Sequence, residues 1–255
     1  MSSGPKLNQS IQKAITLLRA TAASNGGASV SALARSAGLP RATALRLIQT
    51  LEQDGFLLRI PGSDRVLLGP ELVRLARQVD MGTLLREVAH RRLGELSQAV
   101  RETVTLSVVA SDGGLDVVDQ VAGPQHLVPR SWLGQRFPSH ASSSGKILLS
   151  TYDEERLERF LRDRLPALTP HTITGRRALR QELDQVRARG YATTVDELEE
   201  GLAGISVGVF GESGALVGAV NVSGLSQRLD EAARRRAADH VTDVVDGIEA
   251  ALRQG

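Results

Sequence analysis

The residues with the clearest chemical potential lie in the stretch QRFPSHASSSGKILLS, which begins at Gln135. Three serines, a glycine and a lysine precede an apolar run that predicts a helix. Free N–H groups and the positive end of the helix dipole make such a start a candidate anion site, and serine hydroxyls add donors. The alternative is that Ser142 only caps the helix and Lys146 is solvated. These residues alone leave both interpretations open.

Two more specific motifs do not fit this stretch. Ser143 and Lys146 have the S-x-x-K spacing of penicillin-binding enzymes, but no K-T-G follows and no S-D-N is present. A phosphate-binding P-loop requires glycine where His140 stands and Ser or Thr where Ile147 stands. The sequence therefore gives no support to either of these two sites.

A second polar cluster lies in GALVGAVNVSG, near the end of a predicted glycine-rich hairpin. Side chains alternate along a strand, so Asn221 and Ser223 face one way and the neighbouring valines the other. The polar face is either wet surface or the floor of a pocket. The pair Glu199-Glu200 precedes this hairpin and is typical of a solvated loop rather than of acid–base catalysis.

Other reactive residue types are scarce. The five histidines are scattered and show no metal-ligand spacing, and the chain has no cysteine, which excludes disulfides and thiol chemistry. No cofactor is predicted. The sequence has no apolar run of membrane-spanning length and no apolar signal region at its start, so we expect a soluble, cytoplasmic protein that does not bind membranes.

A third functional pattern occupies GLPRATALRLIQTLEQDGF, which starts at Gly38. On a helical wheel, Ala44, Leu47, Ile48 and Leu51 form a buried stripe. The opposite face is small, amide-bearing and positively charged, so it can approach phosphates and base edges without repulsion. The residues predicted to contact DNA are Arg41, Ala42, Thr43, Arg46, Gln49 and Thr50 on this helix, and Arg59 and Arg65 on the hairpin that follows.

Their chemistry suggests distinct roles. Arg41 and Arg46 can clamp phosphates or read guanine bidentately, and the threonines and Gln49 can reach bases or backbone. Arg59 and Arg65 suit a phosphate or a minor groove. Because one such domain covers few base pairs, we expect a dimer on a two-fold symmetric site in double-stranded DNA.

The surrounding elements favour a helix-turn-helix. Ala34, Gly38 and Ala44 have the spacing that lets two helices touch, turns the corner and anchors the second helix. The stretch FLLRIPGSDRVLLG then predicts a hairpin, a plausible wing. Pro40 suits the first position of the third helix, and Ser29 or Ser31 can cap the second. The alternative is a small helical domain whose arginines are only solvated.

Behind this front region the periodicity predicts an α+β domain with a largely antiparallel sheet. Residues 70–99 are predicted to form one or two helices, with Met81-Gly82 as a candidate break. Further helices are predicted over 142–151, 154–163, 176–189 and 230–252. Strands are predicted over 103–108, 115–121, 127–130, 204–210 and 215–223.

Length and charge agree with this division. A chain of 255 residues is long enough for two domains. Residues 1–80 hold ten basic and five acidic residues, a net charge of +5, whereas the remainder holds 21 basic and 24 acidic residues, a net charge of −3. A basic front and a mildly acidic body suggest a polyanionic partner for the front alone.

Three segments in order resemble the IclR family of bacterial transcription regulators, over essentially the whole chain. SALARSAGLPRATALRLIQTLEQDGF is similar to the family's winged helix-turn-helix. RFPSHASSSGKILLS resembles its loop-and-helix signature, and GYATTVDELEEGLAGISVGVF with GALVGAVNVSGL resembles its second signature. The resemblance implies a GAF-like rear domain that binds a small carboxylate or aromatic acid, and dimers or tetramers. The implied domains are 1–69 (winged helix-turn-helix), 70–99 (helical linker) and 100–255 (GAF-like).

The resemblance also implies the ligand-binding positions. An Asp often found in the family's pocket is matched by Thr194, and a common Cys by Gly204, which together give a less acidic and roomier cavity. Trp132 either walls this cavity or fills the core. The implied effector-binding residues are Trp132, Ser143, Ser144, Thr194, Gly204, Asn221 and Ser223.

Three functions follow as hypotheses. The leading one is a transcription regulator whose DNA affinity responds to a small acid. The second is an acyl-compound hydrolase that uses Ser143 and Lys146 behind a DNA-binding front. The third is an architectural DNA-binding protein whose rear domain only oligomerises.

Overall fold

The computed structural model describes residues 7–24, 26–124 and 131–254. It forms two compact units that divide between Asp80 and Met81. The predicted linker, residues 70–99, is shared between them, since its first helix belongs to the front unit and its second to the rear unit. Within the described ranges, no helix is long and apolar enough to cross a membrane.

The front unit has the helices and hairpin of a winged helix-turn-helix. Its helices are α1 (Gln9–Ala23), α2 (Val30–Ser36), α3 (Arg41–Gln53) and α4 (Pro70–Ala76). Its strands are β1 (Ala28–Ser29), β2 (Leu57–Arg59) and β3 (Arg65–Leu68), paired antiparallel in the order β1-β3-β2. The predicted hairpin is confirmed as β2 and β3, whereas the two-residue β1 was too short to predict.

The helix ends follow local capping chemistry. The Ser29 side chain accepts a hydrogen bond from the Ala32 N–H at 3.2 Å, so Ser29 rather than Ser31 caps α2. Gly38 turns the corner with a φ of +65°, which glycine adopts without strain. The prediction that Pro40 is the first residue of the third helix was wrong by one residue: its ψ of 138° is extended, so Pro40 occupies the N-cap position, without a capping hydrogen bond, and Arg41 begins α3.

One apolar core holds the front unit together. It contains the predicted stripe of α3, of which Ala44 and Ile48 are fully buried. Burial of each large aliphatic side chain contributes roughly 1.5–3 kcal/mol. The buried members of this core are Leu17, Val30, Leu33, Ala34, Ala44, Ile48, Leu57 and Val66. This core fixes α3 so that its opposite face remains in solvent.

The rear unit is an α+β domain around a five-stranded antiparallel sheet, as predicted. Its helices are α5 (Met81–Val100), α6 (Ser143–Ser150), α7 (Glu154–Arg162), α8 (Arg176–Arg189) and α9 (Glu231–Gln254). Its strands are β4 (Thr103–Val109), β5 (Leu115–Val121), β6 (Tyr191–Val195), β7 (Leu202–Phe210) and β8 (Leu216–Leu225). The strand order is β5-β4-β8-β7-β6.

Sequence reasoning missed β6, a short strand that begins directly after α8. Gly190 ends that helix in the left-handed conformation, and Tyr191 already lies in the sheet, paired with Val207. Because an acidic stretch follows, sequence reasoning predicted a loop in this region instead of a strand. The strand predicted over residues 127–130 lies outside the described residues.

The two faces of the sheet differ in chemistry. Helices α5 and α9 cover one face with an aliphatic core that includes Val104, Leu106, Val220 and Val222. Helix α6 packs on the opposite face. Because side chains alternate along each strand, the residues between those valines point toward α6. Polar residues therefore line that side of the sheet.

Candidate functional site

A cavity lies between the start of α6, the polar face of the sheet and the segment that carries Trp132 and Phe137. Its volume is about 660 Å³, including its open mouth. All seven residues predicted for the effector line it. They are Trp132, Ser143, Ser144, Thr194, Gly204, Asn221 and Ser223. The structure thus brings together residues that are up to 91 positions apart in the sequence.

Strand register explains the polar floor. Strands β4 and β8 pair so that Thr105 lies opposite Asn221, and both line the cavity. Their neighbours Val104 and Val222 also pair, and they face the aliphatic core on the other side. The alternation seen in AVNVSG therefore marks the floor of a pocket, and not a wet surface.

Side-chain hydrogen bonds join this floor to α6. The Ser143 hydroxyl donates to Asn221 Oδ1 at 2.8 Å, and Asn221 Nδ2 donates to Thr105 Oγ1 at 3.3 Å. Ser206 Oγ lies 2.9 Å from Ser144 Oγ and 3.1 Å from Asn221 Oδ1. We call these five side chains the hydroxyl network.

Sequence reasoning missed Ser206, which is fully buried in the middle of β7. It lies directly opposite Asn221 in the pairing of β7 with β8. Once Asn221 was assigned to a polar face, the antiparallel pairing of these two strands could have placed Ser206 on the same face.

Gly204 keeps the polar end of the cavity open. A Cβ at this position would lie 3.0 Å from Ser143 Oγ, 3.2 Å from Thr194 Oγ1 and 3.3 Å from Asn221 Oδ1. Those separations are tight contacts, so glycine leaves room for a ligand atom among three hydrogen-bonding groups.

The other walls are apolar. Trp132 is only 7% exposed and meets Phe137 edge to face, with ring centroids 5.1 Å apart. Further apolar lining comes from Leu115, Val117, Leu198, Leu202 and Ala203. Within the described part of the chain, no charged side chain lines the cavity. The cavity is therefore apolar along most of its wall and has one end that is polar but uncharged.

The start of α6 opens into the polar end. The Ser142 side chain caps the helix by accepting from the Gly145 N–H at 3.2 Å. Among the described residues, no protein group accepts a hydrogen bond from the Ser143 or Ser144 N–H. Since Ser142, Ser143, Ser144 and Gly145 all line the cavity, these N–H groups and the helix dipole favour a negative ligand group there.

Lys146 is not part of this surface. The alternative in which Lys146 is solvated was wrong, because the side chain is 1% exposed. Its Nζ donates to Glu197 Oε1 at 2.6 Å and to the Thr193 carbonyl at 3.2 Å, and Glu182 Oε1 lies 3.7 Å away. Burial raises the pKa of the Glu197 carboxyl, and the charge of Lys146 opposes that rise. Glu197 Oε2 is buried with no hydrogen-bond partner among the described residues.

The candidate DNA surface lies on α3. Ala42, Arg46, Gln49 and Thr50 are exposed there, and Thr43 is half-buried. Ser10 and Lys13 of α1 border the same surface depression as these residues. Sequence reasoning did not assign Ser10 or Lys13 to the DNA surface, because nothing in the α1 pattern reveals which residues lie beside α3.

The other three predicted arginines already have partners within the front unit. Arg41 Nε donates to Ser31 Oγ at 3.1 Å. Arg59 Nε donates to Glu52 Oε1 at 2.9 Å and forms an ion pair with it. Arg65 donates to the Gly26 carbonyl. In the described structure, Arg46 is thus the predicted arginine without such a contact.

Comparison with family models covers most of the chain. Residues 10–61 match the IclR helix-turn-helix domain. Residues 79–250 match the C-terminal domain of the bacterial transcriptional regulator IclR. These two ranges contain the candidate DNA surface and the cavity respectively.

Individual proteins show the same relationship. An HTH-type transcriptional regulator of Mycobacterium tuberculosis is 39% identical over 220 residues, which cover 86% of this chain and 83% of the relative. The transcriptional repressor IclR of Escherichia coli is 30% identical over 225 residues, with coverage of 88% and 82%. An IclR homologue from Microbacterium hydrocarbonoxydans, crystallised with 4-hydroxybenzoate, superposes with a TM-score of 0.63 at 27% identity, covering 97% of this chain and all of that one.

Proposed function

The chain belongs to the IclR family of bacterial transcriptional regulators, and we propose that its cavity binds a small amphipathic monocarboxylate that changes the affinity of the front unit for DNA. It is a DNA-binding transcriptional regulator under the control of a small-molecule effector, as predicted. The proposal concerns the chemistry of the effector and the residues that contact it and the DNA.

One observation carries the ligand proposal: the start of α6 opens into the polar end of the cavity, and no described residue accepts a hydrogen bond from its Ser143 and Ser144 N–H groups. A carboxylate there would accept from these N–H groups and from the helix dipole. Among the described residues, the lining supplies no cationic side chain for a second negative group, so a monocarboxylate fits better than a dicarboxylate. Trp132 and Phe137 favour an aromatic or branched aliphatic body.

The 4-hydroxybenzoate bound by the Microbacterium homologue has this chemistry, with a ring and one carboxylate. We carry over only this class of ligand, because the two chains differ at most positions. The proposed contacts to the effector are those of the seven cavity residues named above.

On the DNA side, we propose that α3 enters the major groove. Its exposed face bears Arg46, Gln49 and Thr50, and the helix has no acidic residue in its first turn. Arg46 is proposed to read guanine or clamp a phosphate, and Gln49 to reach a base edge. Arg41, Arg59 and Arg65 are proposed to contact phosphates while they keep their protein partners.

We propose that the protein acts as a homodimer or homotetramer on a two-fold symmetric operator in the cytoplasm. Large apolar side chains stay exposed in the single chain on α1, on α4, on the segment between α4 and α5, and at the start of α5. They include Ile11, Ile15, Val73, Leu75, Val79 and Leu84. A second copy that covers them would place two α3 helices on one DNA site.

The hydrolase alternative is not favoured by the geometry. A nucleophilic serine needs a base within hydrogen-bond reach. Here the Ser143 hydroxyl donates to Asn221, and Lys146 is bound to Glu197 and to the Thr193 carbonyl. In the described structure, no hydrogen bond joins the serine to the lysine, whose Nζ lies among carboxylate and carbonyl oxygens.

The proposal is tested in two steps. Duplexes enriched by the protein from a random pool define its DNA site, and their sequence should show two-fold symmetry. Aliphatic and aromatic acids are then compared with their neutral amides by calorimetry. We expect an acid to bind more tightly than its amide, whereas equal or weaker binding of every acid would contradict the monocarboxylate proposal.

A further inference from the structure

In the hydroxyl network beneath the cavity, Ser206 has more hydrogen-bonding neighbours than it has protons to donate. Ser206 Oγ lies within 2.9 Å of Ser144 Oγ, 3.0 Å of Ser143 Oγ and 3.1 Å of Asn221 Oδ1. A hydroxyl donates one proton and accepts two hydrogen bonds. Ser206 can therefore satisfy all three neighbours only if some of them donate to it.

With Asn221 Oδ1 toward the serines, the network consumes the hydroxyl proton of each of its three serines. Asn221 Oδ1 accepts from Ser143 and Ser206, and Ser144 donates to Ser206. The Ser143 and Ser144 hydroxyls then offer only lone pairs to the cavity. In this arrangement their side chains suit a ligand that donates hydrogen bonds.

Turning the Asn221 amide by 180° reverses the direction of the network. The two ends of an amide have nearly the same shape, so the heavy atoms stay in place. Asn221 Nδ2 then donates to Ser143 and Ser206, Thr105 donates to Asn221 Oδ1, and Ser206 donates to Ser144. The Ser143 and Ser144 protons become available to an acceptor in the cavity, such as a carboxylate.

We propose that Ser206 is the positioning and specificity residue of this network: by giving its proton to Ser144 or to Asn221, it sets whether the cavity presents donors or acceptors to its ligand. Ser206 is fully buried and does not line the cavity, so it acts through its neighbours. A hydrogen-bonded chain that runs from Ser206 through Ser144 to a carboxylate strengthens each link. The inference rests on the proposed function, because it takes the cavity as the effector site.

The test uses Ser206→Ala and two probes of almost equal shape, benzoate and benzamide. Benzoate needs two donors from the floor, whereas benzamide needs one donor and one acceptor. Loss of Ser206 removes the hydrogen bond that holds the Ser144 proton toward the cavity, so we expect benzoate affinity to fall about threefold to tenfold. Benzamide affinity should fall less than twofold. Calorimetry on the full chain measures both, and the melting temperature checks folding.

Ser97→Ala is the matched control. Ser97 is also fully buried in the rear unit, and its hydroxyl donates to the Glu102 carbonyl at 3.0 Å, away from the cavity. It should lower stability without changing the ratio of the two affinities. An equal loss for both probes in Ser206→Ala, or no loss, would overturn the specificity role. If the unaltered protein bound neither benzoate nor any other acid, the proposed function itself would fail.

Discussion

Lys146 Nζ and Glu197 Oε1 lie 2.6 Å apart in a buried ion pair that joins α6 to the segment after β6. Both residues adjoin the cavity lining, since Gly145 precedes the lysine and Leu198 follows the glutamate. The lysine of the SSSGK stretch therefore holds two cavity walls together, whereas the serines before it line the cavity.

Loss of one partner in this pair should be costly. Lys146→Met leaves Glu197 buried without its cation, and removal of one partner of a buried ion pair typically costs about 3–5 kcal/mol. Combining Lys146→Met with Glu197→Gln should recover part of that loss, because no unpaired charge remains. Urea denaturation of the two single variants and the double variant measures the coupling. Additive losses would show that the two side chains do not stabilise each other.

The same pair predicts a pH dependence of stability. Folding raises the pKa of the Glu197 carboxyl through burial, against the opposing charge of Lys146. Between the unfolded and the folded pKa, the native state holds a proton that the unfolded chain has released. The protonated Glu197 carboxyl therefore contributes its full share to the free energy of unfolding below its unfolded pKa. That contribution is lost as pH rises through its folded pKa. Glu197→Gln should remove this decrease, as melting temperatures measured across mildly acidic pH would show. Parallel curves for the two proteins would contradict the prediction.

Gly204→Ala should weaken effector binding. The added methyl would lie 3.0 Å from Ser143 Oγ, at the polar end of the cavity. Overpacking of this kind typically costs about 1–3 kcal/mol. Here the cost should fall on the binding free energy of the ligand, because the ligand occupies the same space as the added methyl. Gly211→Ala is the control, because a Cβ there has no neighbour closer than 3.4 Å. Calorimetry with benzoate should show a loss only for Gly204→Ala; equal affinities in both variants would remove Gly204 from the site.

Arg46→Ala should weaken specific DNA binding by about 1–3 kcal/mol. The Arg46 side chain is exposed on the outer face of α3. Arg159→Ala removes the same charge from α7 of the rear unit and should leave affinity nearly unchanged. Fluorescence anisotropy with the enriched duplex measures both. Equal affinity of Arg46→Ala and the unaltered protein would exclude Arg46 from the interface.

Arg59→Ala should weaken DNA binding less than Arg46→Ala does. Arg59 already forms an ion pair with Glu52, and its side chain is 37% exposed. Its removal should mainly lower stability, by up to about 1 kcal/mol, as for partly exposed ion pairs. The salt dependence of binding separates a DNA contact from a purely structural role. Loss of a phosphate contact lowers the slope of log affinity against log salt concentration by about one. A larger loss of DNA affinity than in Arg46→Ala would reverse this ranking.

Local patterns predicted most of the helices and strands and indicated two polar candidates for a site, because each depends on short-range chemistry. The alternation around Asn221 placed a polar face, and the serine-rich start of α6 indicated a helix N-terminus. The partners of Lys146 could not be predicted, since Glu197 is 51 residues away and belongs to an acidic stretch that resembles a solvated loop. Ser206 was missed for a similar reason: its neighbours are set by strand register and helix packing. The seven effector positions were assigned through the family resemblance, and their contacts with a ligand stay a prediction.

The central claim is that ligand uptake in the cavity changes DNA affinity. The most direct measurement follows Trp132 fluorescence and the anisotropy of the enriched duplex in the same titration with benzoate. We predict that both signals change with one midpoint, and that Ser144→Ala moves both midpoints to higher concentration together. Binding of benzoate that leaves DNA affinity unchanged, or a DNA response that Ser144→Ala does not shift, would contradict the claim.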